Sequence, residues 1–128
     1  MIQQITRGIK INVLPYYRGS FTKYGKLQHS FSYTIRIENR SENSIKLLSR
    51  MWIIKDSLHE PIIVEGEGVV GVQPFLYPGE QYQYTSGCIL NSTIGSMSGF
   101  YYFKIANEEE SYPVPIPLFH LQADYTRN

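Results

Sequence analysis

The sequence predicts an all-β domain, a sandwich of two antiparallel sheets built from about seven short strands. Three observations carry this reading. Apolar residues alternate with polar ones in short runs, the period of a half-buried strand. Clusters of Gly, Pro, Asn and Ser separate those runs. Eleven Tyr and six Phe, with ten Gly and seven Pro in 128 residues, favour pleated strands and tight turns over helices. No stretch holds an amphipathic helix of useful length, and there is no internal repeat.

The elements follow in order. Ile9, Ile11 and Val13 mark a first strand near Thr6 to Leu14. "PYYRGSFTKYGKLQH", Pro15 to His29, lacks a clear period and reads as a long loop or an irregular hairpin. "FSYTIRIEN" is the cleanest strand, with Phe31, Tyr33, Ile35 and Ile37 on one face. "IKLLSRMWIIKD" from Ile45 is denser in apolar residues, and its Trp52 suits an inner-face anchor. "PIIVEG" is a fourth strand and "QPFLYPGE" a turn-rich connection. "QYQYTSGCIL" is a fifth strand, "NSTIGSMSG" a loop and "FYYFKIA" a sixth strand. "SYPVPIPLFHLQ" closes the series. Its prolines at 113, 115 and 117 mark an edge and, at this spacing, share one side of the strand. The Cys…Trp…Cys spacing of antibody domains is absent, so the expectation is an immunoglobulin-like sandwich of the fibronectin type III-like kind.

Composition bounds the rest. A single domain spans residues 1–128, long enough to bury about two-thirds of its unfolded surface without a staple. Cys88 is the only cysteine, so an internal disulfide is excluded and a reducing, cytoplasmic home is expected. No apolar run approaches a membrane span and no signal peptide is evident, so membrane insertion is not expected. Residues 1–55 hold ten Lys and Arg against two Glu; residues 56–128 hold two against nine Asp and Glu. Such an imbalance marks a basic surface, or disappears where later strands interleave with earlier ones. Interleaving is the expectation.

"GEGVVG", Gly66 to Gly71, fits the glycine pattern of a dinucleotide site. That site needs a helix opening within the glycines and an acid about 20 residues on. Pro74, Pro78 and Gly79 leave no room for the helix, and no acid lies between residues 81 and 107. Gly66, Gly68 and Gly71 are instead expected to bend a long strand so that its ends serve different sheets. A small anion-binding nest of glycine amides is the functional alternative.

Val64 to Phe103, "VEGEGVVGVQPFLYPGEQYQYTSGCILNSTIGSMSGFYYF", resembles the signature of the ApaG (CorD) family. The matching residues include Gly66, Gly68, Gly71, Gln73, Pro74, Pro78, Gly79, Glu80, Tyr82, Tyr84, Ser86, Gly87, Gly95 and Gly99. "FSYTIRIEN" and "PIPLFHL" extend the likeness over essentially the whole chain. Ser92 stands where the family usually has Thr, and Pro15 to His29 departs from the family pattern. The resemblance implies a fibronectin type III-like sandwich. It also implies protein–protein interaction, since the domain occurs fused in eukaryotic F-box and DNA-polymerase-interacting proteins, and an association with cobalt resistance and magnesium efflux. It names no reaction.

No catalytic constellation emerges. Cys88 and Ser86 lack a neighbouring base, and Asp56, His59 and Glu60 share one turn without a full metal-ligand set. No catalytic, cofactor or metal residues are assigned. A non-enzymatic interaction module is expected, its partner protein unspecified. Two segments are its candidate contacts. One is Gly66, Gly68, Gly71, Gln73, Pro74, Pro78, Gly79 and Glu80, which also serves the alternative of a sensor for phosphate, pyrophosphate or a divalent cation. The other is the basic aromatic segment Tyr16, Tyr17, Arg18, Phe21, Lys23, Tyr24 and Lys26. The edge Tyr112 to Leu121, or another exposed edge, offers strand addition. The basic aromatic segment also suits base stacking, but a pI near 7.8 disfavours nucleic acid.

Overall fold

Alternation places one apolar face on each of the main strands, and two such faces must cover each other. The computed structural model describes residues 2–57 and 59–123 and shows this arrangement. Sheet A has the order β1-β2-β3-β7: β1 Ile2–Thr6, β2 Ile9–Lys23, β3 Lys26–Asn39 and β7 Gln81–Leu90. Sheet B has the order β5-β4-β8-β9: β4 Ile45–Asp56, β5 Ile62–Glu67, β8 Ile94–Ile105 and β9 Ser111–Gln122. The short β6, Phe75–Leu76, also pairs with β4. All pairings are antiparallel. The described residues contain no helix, and so none able to cross a membrane.

The core is what the alternation specifies. Ile9, Ile11, Val13, Phe31, Tyr33, Ile35 and Ile37 face Leu47, Trp52, Tyr101, Phe103 and Phe119 across the sandwich, all buried. Trp52 sits at its centre, edge-on to Tyr33 at 5.4 Å and to Phe119 at 5.9 Å. Burying each large side chain is worth about 1.5–3 kcal/mol, so this layer supplies the main drive to fold.

Several sequence expectations change. The described residues form nine strands rather than about seven. The first expected strand splits at Arg7 and Gly8, whose φ angles of 50° and 79° turn β1 into β2. Of the two expectations for Pro15 to His29, the irregular hairpin holds and the loop does not: it forms the outer half of the β2–β3 hairpin, with a bulge between Tyr17 and Gly19 and a turn at Tyr24 and Gly25, φ 50° and 74°. "NSTIGSMSG" is a loop only to Thr93, after which β8 begins. The prolines of β9 do mark an edge strand, but a bulge follows Ile116 and breaks their common side. Pro113 is exposed and Pro117 buried. The charges segregate more than expected, because among the described residues β7 is the only later strand in sheet A and carries none. Sheet A therefore holds Lys10, Arg18, Lys23, Lys26 and Arg36 against Glu38 alone, which is paired with Arg40 at 3.0 Å.

Candidate functional site

The glycine-rich segment shapes β backbone and opens no helix, but it does not carry a strand between sheets. β5 ends at Glu67, the chain turns, and β6 returns to the same strand, β4. Gly68, Val70 and Gly71 adopt φ of 59°, 48° and 78° to make that turn, and Val69 bridges Val72 within it. A β-branched residue in the left-handed region is strained, so Val70 is held there by its surroundings. A Cβ on Gly68 would overlap the Val72 carbonyl. Gly66 makes room for a side chain: Arg50 Nη1 lies 2.9 Å from where its Cβ would be. From there Arg50 Nη1 donates to the carbonyls of Glu67 at 3.0 Å and Gly68 at 2.8 Å.

The remaining residues of this segment fasten it. Gln73 Nε2 donates to the Leu48 carbonyl at 2.9 Å, and the Pro74 carbonyl accepts from Leu47 N at 2.9 Å. Pro78 and Gly79, the latter at φ 88°, occupy the middle of a turn closed by Glu80 N donating to Tyr77 O at 3.0 Å. The Glu80 carboxylate accepts from Tyr77 N at 2.8 Å. The amides of Gly68, Val69 and Val72 are all spent on backbone carbonyls, which leaves little of a nest for an anion. Beside the segment lies an open depression of about 430 Å³, lined by Ser49, Met51, Glu65, Glu67 and Tyr102 among others. Its lining mixes the carboxylates of Glu65 and Glu67 with the guanidinium of Arg50, and no group of three or more metal-ligating side chains occurs among the described residues.

The basic aromatic residues lie on the β2–β3 arm. β7 pairs with β3 only as far as His29, so residues 19–28 project as a two-stranded extension. Tyr16, Arg18, Lys23, Tyr24 and Lys26 are exposed, Tyr24 at 93%. Arg18 lies over the Tyr16 ring at 5.3 Å and donates to Ser32 Oγ at 2.8 Å. Tyr17 and Phe21 are half-buried instead. Tyr17 faces inward, its hydroxyl 3.2 Å from His29 Nδ1 and its ring 5.3 Å from Phe31.

Sequence reasoning missed the side of the sandwich bounded by β7 in one sheet and β5 in the other. Tyr84 and Tyr101 hydroxyls hydrogen-bond there between the sheets. Burial raises the pKa of Tyr33, Tyr84 and Tyr101, so all three remain neutral donors. Burial, then the charge of Asp56, pushes the Cys88 thiol up to about 11, the reverse of an activated nucleophile. Asp56 itself is occupied by Ser92 Oγ and by the amides of Asn91 at 2.7 Å and Ser92 at 3.1 Å. The one available signal for this side was the absence of any charged residue from Gln81 to Phe103.

Comparison with known proteins agrees with this architecture. The family model of the ApaG domain matches residues 20–105. The chain is 38% identical over 120 residues to Protein ApaG of Chromohalobacter salexigens, covering 94% of each. It is 44% identical over 115 residues to Protein ApaG of Acidovorax sp., covering 90% of this chain and 83% of that one. A solved structure, Northeast Structural Genomics Consortium target SoR45, superposes with a TM-score of 0.84 at 36% identity, over 90% of this chain and 86% of its own. The putative ApaA protein from Bordetella pertussis gives 0.79 at 38% identity, over 92% and 95%. A family model spanning more than half of the chain, relatives matched over nearly their whole length and a shared two-sheet fold lead to one conclusion: the chain belongs to the ApaG family.

Proposed function

We propose that the protein is a non-enzymatic module that binds another protein in the reducing cytoplasm. The β2–β3 arm is the observation that carries this reading. The two-stranded extension presents Tyr24 and Leu27 with Lys23 and Lys26, the sheet at its base adds exposed Tyr16 and Arg18, and the extension buries little of its own surface. Aromatic side chains and Arg are the residues that anchor protein contacts. Affinity capture with the tagged chain, compared with a Tyr16→Ala/Lys23→Ala/Tyr24→Ala variant, tests it. A protein retained by the first and lost by the second is the expected result. Repeated capture with nothing above background removes the reading.

A second reading is a divalent-cation sensor at the Glu65–Glu67 depression, in keeping with the family's cobalt and magnesium association. Glu65 and Glu67 on the lining of that depression motivate it, and Arg50 on the same lining keeps the anion alternative in the test. A thermal-shift panel of Mg²⁺, Co²⁺, phosphate, pyrophosphate and nucleotides separates the two. Ligand at about 100 times its dissociation constant adds about 2.7 kcal/mol, a shift of several degrees. No shift across the panel leaves the interaction module.

A further inference from the structure

The four sheet margins are not alike. β9 carries three prolines, which cannot donate, and a bulge. β5 carries Glu65 and Glu67. β1 has only five residues, and the turn beyond it is tied down by Arg7, whose guanidinium lies 3.9 Å from the centre of the Tyr112 ring. β7 has ten residues, no proline, no charge and an unbroken register with β3 from Gln81 to Leu90. Among the described residues no strand lies beyond it. Natural edges are usually guarded by prolines, charges, bulges or brevity, and β7 has none of these.

A floor lies beneath this bare margin. Ile62 and Val64 pair with Ile54 and Trp52, so they share the inner face of sheet B with buried Trp52. They are nevertheless 55% and 38% exposed, because sheet A stops at β7 and leaves β5 unroofed. The next position on that face is Gly66, and the Arg50 guanidinium fills it. Arg50 bonds two backbone carbonyls and forms no ion pair with a carboxylate among the described residues. The Tyr84 hydroxyl bonds that of Tyr101, the pairing partner of Arg50, while Asn91 just beyond β7 donates to Asp56 at the end of β4, which sets the direction of the floor along β7. Read in the direction opposite to β7, the floor is apolar, apolar, cationic at two-residue spacing.

We propose that β7 takes up an extended strand from a partner protein, running antiparallel to it. Its apolar residues at i and i+2 lie over Ile62 and Val64, and its carboxylate at i+4 lies over Arg50. This deepens the interaction-module reading and rests on it. Main-chain hydrogen bonds to β7 supply affinity, and the three floor contacts supply selectivity. Above the same margin Arg36 reaches Gln83 at 3.3 Å, so outward-facing acidic residues of the guest are favoured as well. A second copy is the poorer occupant. Joining two β7 strands would drive the second layer of each copy into the other's unroofed β5.

The probe is a fluorescein-labelled acetyl-Thr-Val-Thr-Val-Thr-Glu-Thr-amide, read by anisotropy and by amide hydrogen exchange on the full chain. Saturable binding that slows alternate amides of Gln81–Leu90 is expected. Ile62→Lys and Val64→Lys, both at exposed positions and checked for an unchanged melting temperature, should each weaken binding by roughly tenfold. Replacing the peptide Glu by Lys should weaken it comparably. Slowed exchange on the Tyr16–Lys26 arm instead of β7 overturns the edge proposal and leaves the interaction reading standing. Slowed exchange on β7 that depends on the protein's own concentration without peptide overturns it in favour of a second copy. No binding here, together with empty affinity capture, removes both readings.

Discussion

Asp56 ends β4 with its carboxylate turned toward the β7–β8 connection, where Ser92 Oγ and two backbone amides converge on it. Burial alone would raise its pKa. The hydrogen bond from Ser92, then that from Asn91, outweighs burial and holds it below the ordinary aspartate value. A carboxylate with a depressed folded pKa contributes stability that is fully present above its unfolded pKa of about 3.9 and is lost as pH falls through the folded value. Asp56→Asn should therefore cost about 1–3 kcal/mol at neutral pH, and the difference from wild type should shrink toward pH 2. Urea unfolding at the two pH values measures it. Ser92→Ala should follow the same direction more weakly. Ser92→Thr, which keeps the hydroxyl, should be nearly silent.

At the level of elements, two-residue turns make the hairpins of sheet A. Both central residues have positive φ, the geometry that matches the twist of the strands, for which Asn-Gly is preferred. Tyr24 is a poor choice for that conformation and packs against almost nothing, at 93% exposure. Tyr24→Asn should stabilise the fold by about 0.5–1 kcal/mol, visible as a rise in the urea midpoint at constant slope. The same comparison shows what the sequence could reveal. "FSYTIRIEN" was legible because it places a continuous apolar row on the core, and "IKLLSRMWIIKD" because its apolar residues are dense enough to read through the bulge between Leu47 and Ser49. The arm was not, because most of its residues face water and the bulge between Tyr17 and Gly19 interrupts its period. Gly95 and Gly99 suggested a loop, yet both are buried in β8, where a Cβ would press on the Lys55 and Met51 carbonyls of β4. The structural use of Gly66 to Gly71 could be read from the prolines that follow. The β7 margin could not, since the exposure of Ile62 and Val64 depends on where the opposite sheet ends.

The whole molecule is a sandwich fastened on one flank, where Arg7 lies over Tyr112, and open on the other. Between the sheets Tyr33, Tyr84 and Tyr101 are kept protonated, chiefly by burial. A raised folded pKa gives stability that is complete below the unfolded tyrosine value of about 10 and is lost as pH climbs toward the folded one. Cys88, pushed up to about 11, adds to the loss from about pH 9. Alkaline titration should therefore show phenolate absorbance from these three tyrosines appearing together with loss of near-ultraviolet circular dichroism. Smooth ionisation of all eleven tyrosines in a folded chain would contradict this. The run from Gln81 to Phe103 has a quieter consequence. It contains no group that changes protonation between acidic endosomal and mildly alkaline conditions, and the cations nearest its margin, Arg36 and Arg50, are guanidiniums that stay charged throughout. A guest lying along that strand would meet fixed charge from those two guanidiniums and none from the strand itself.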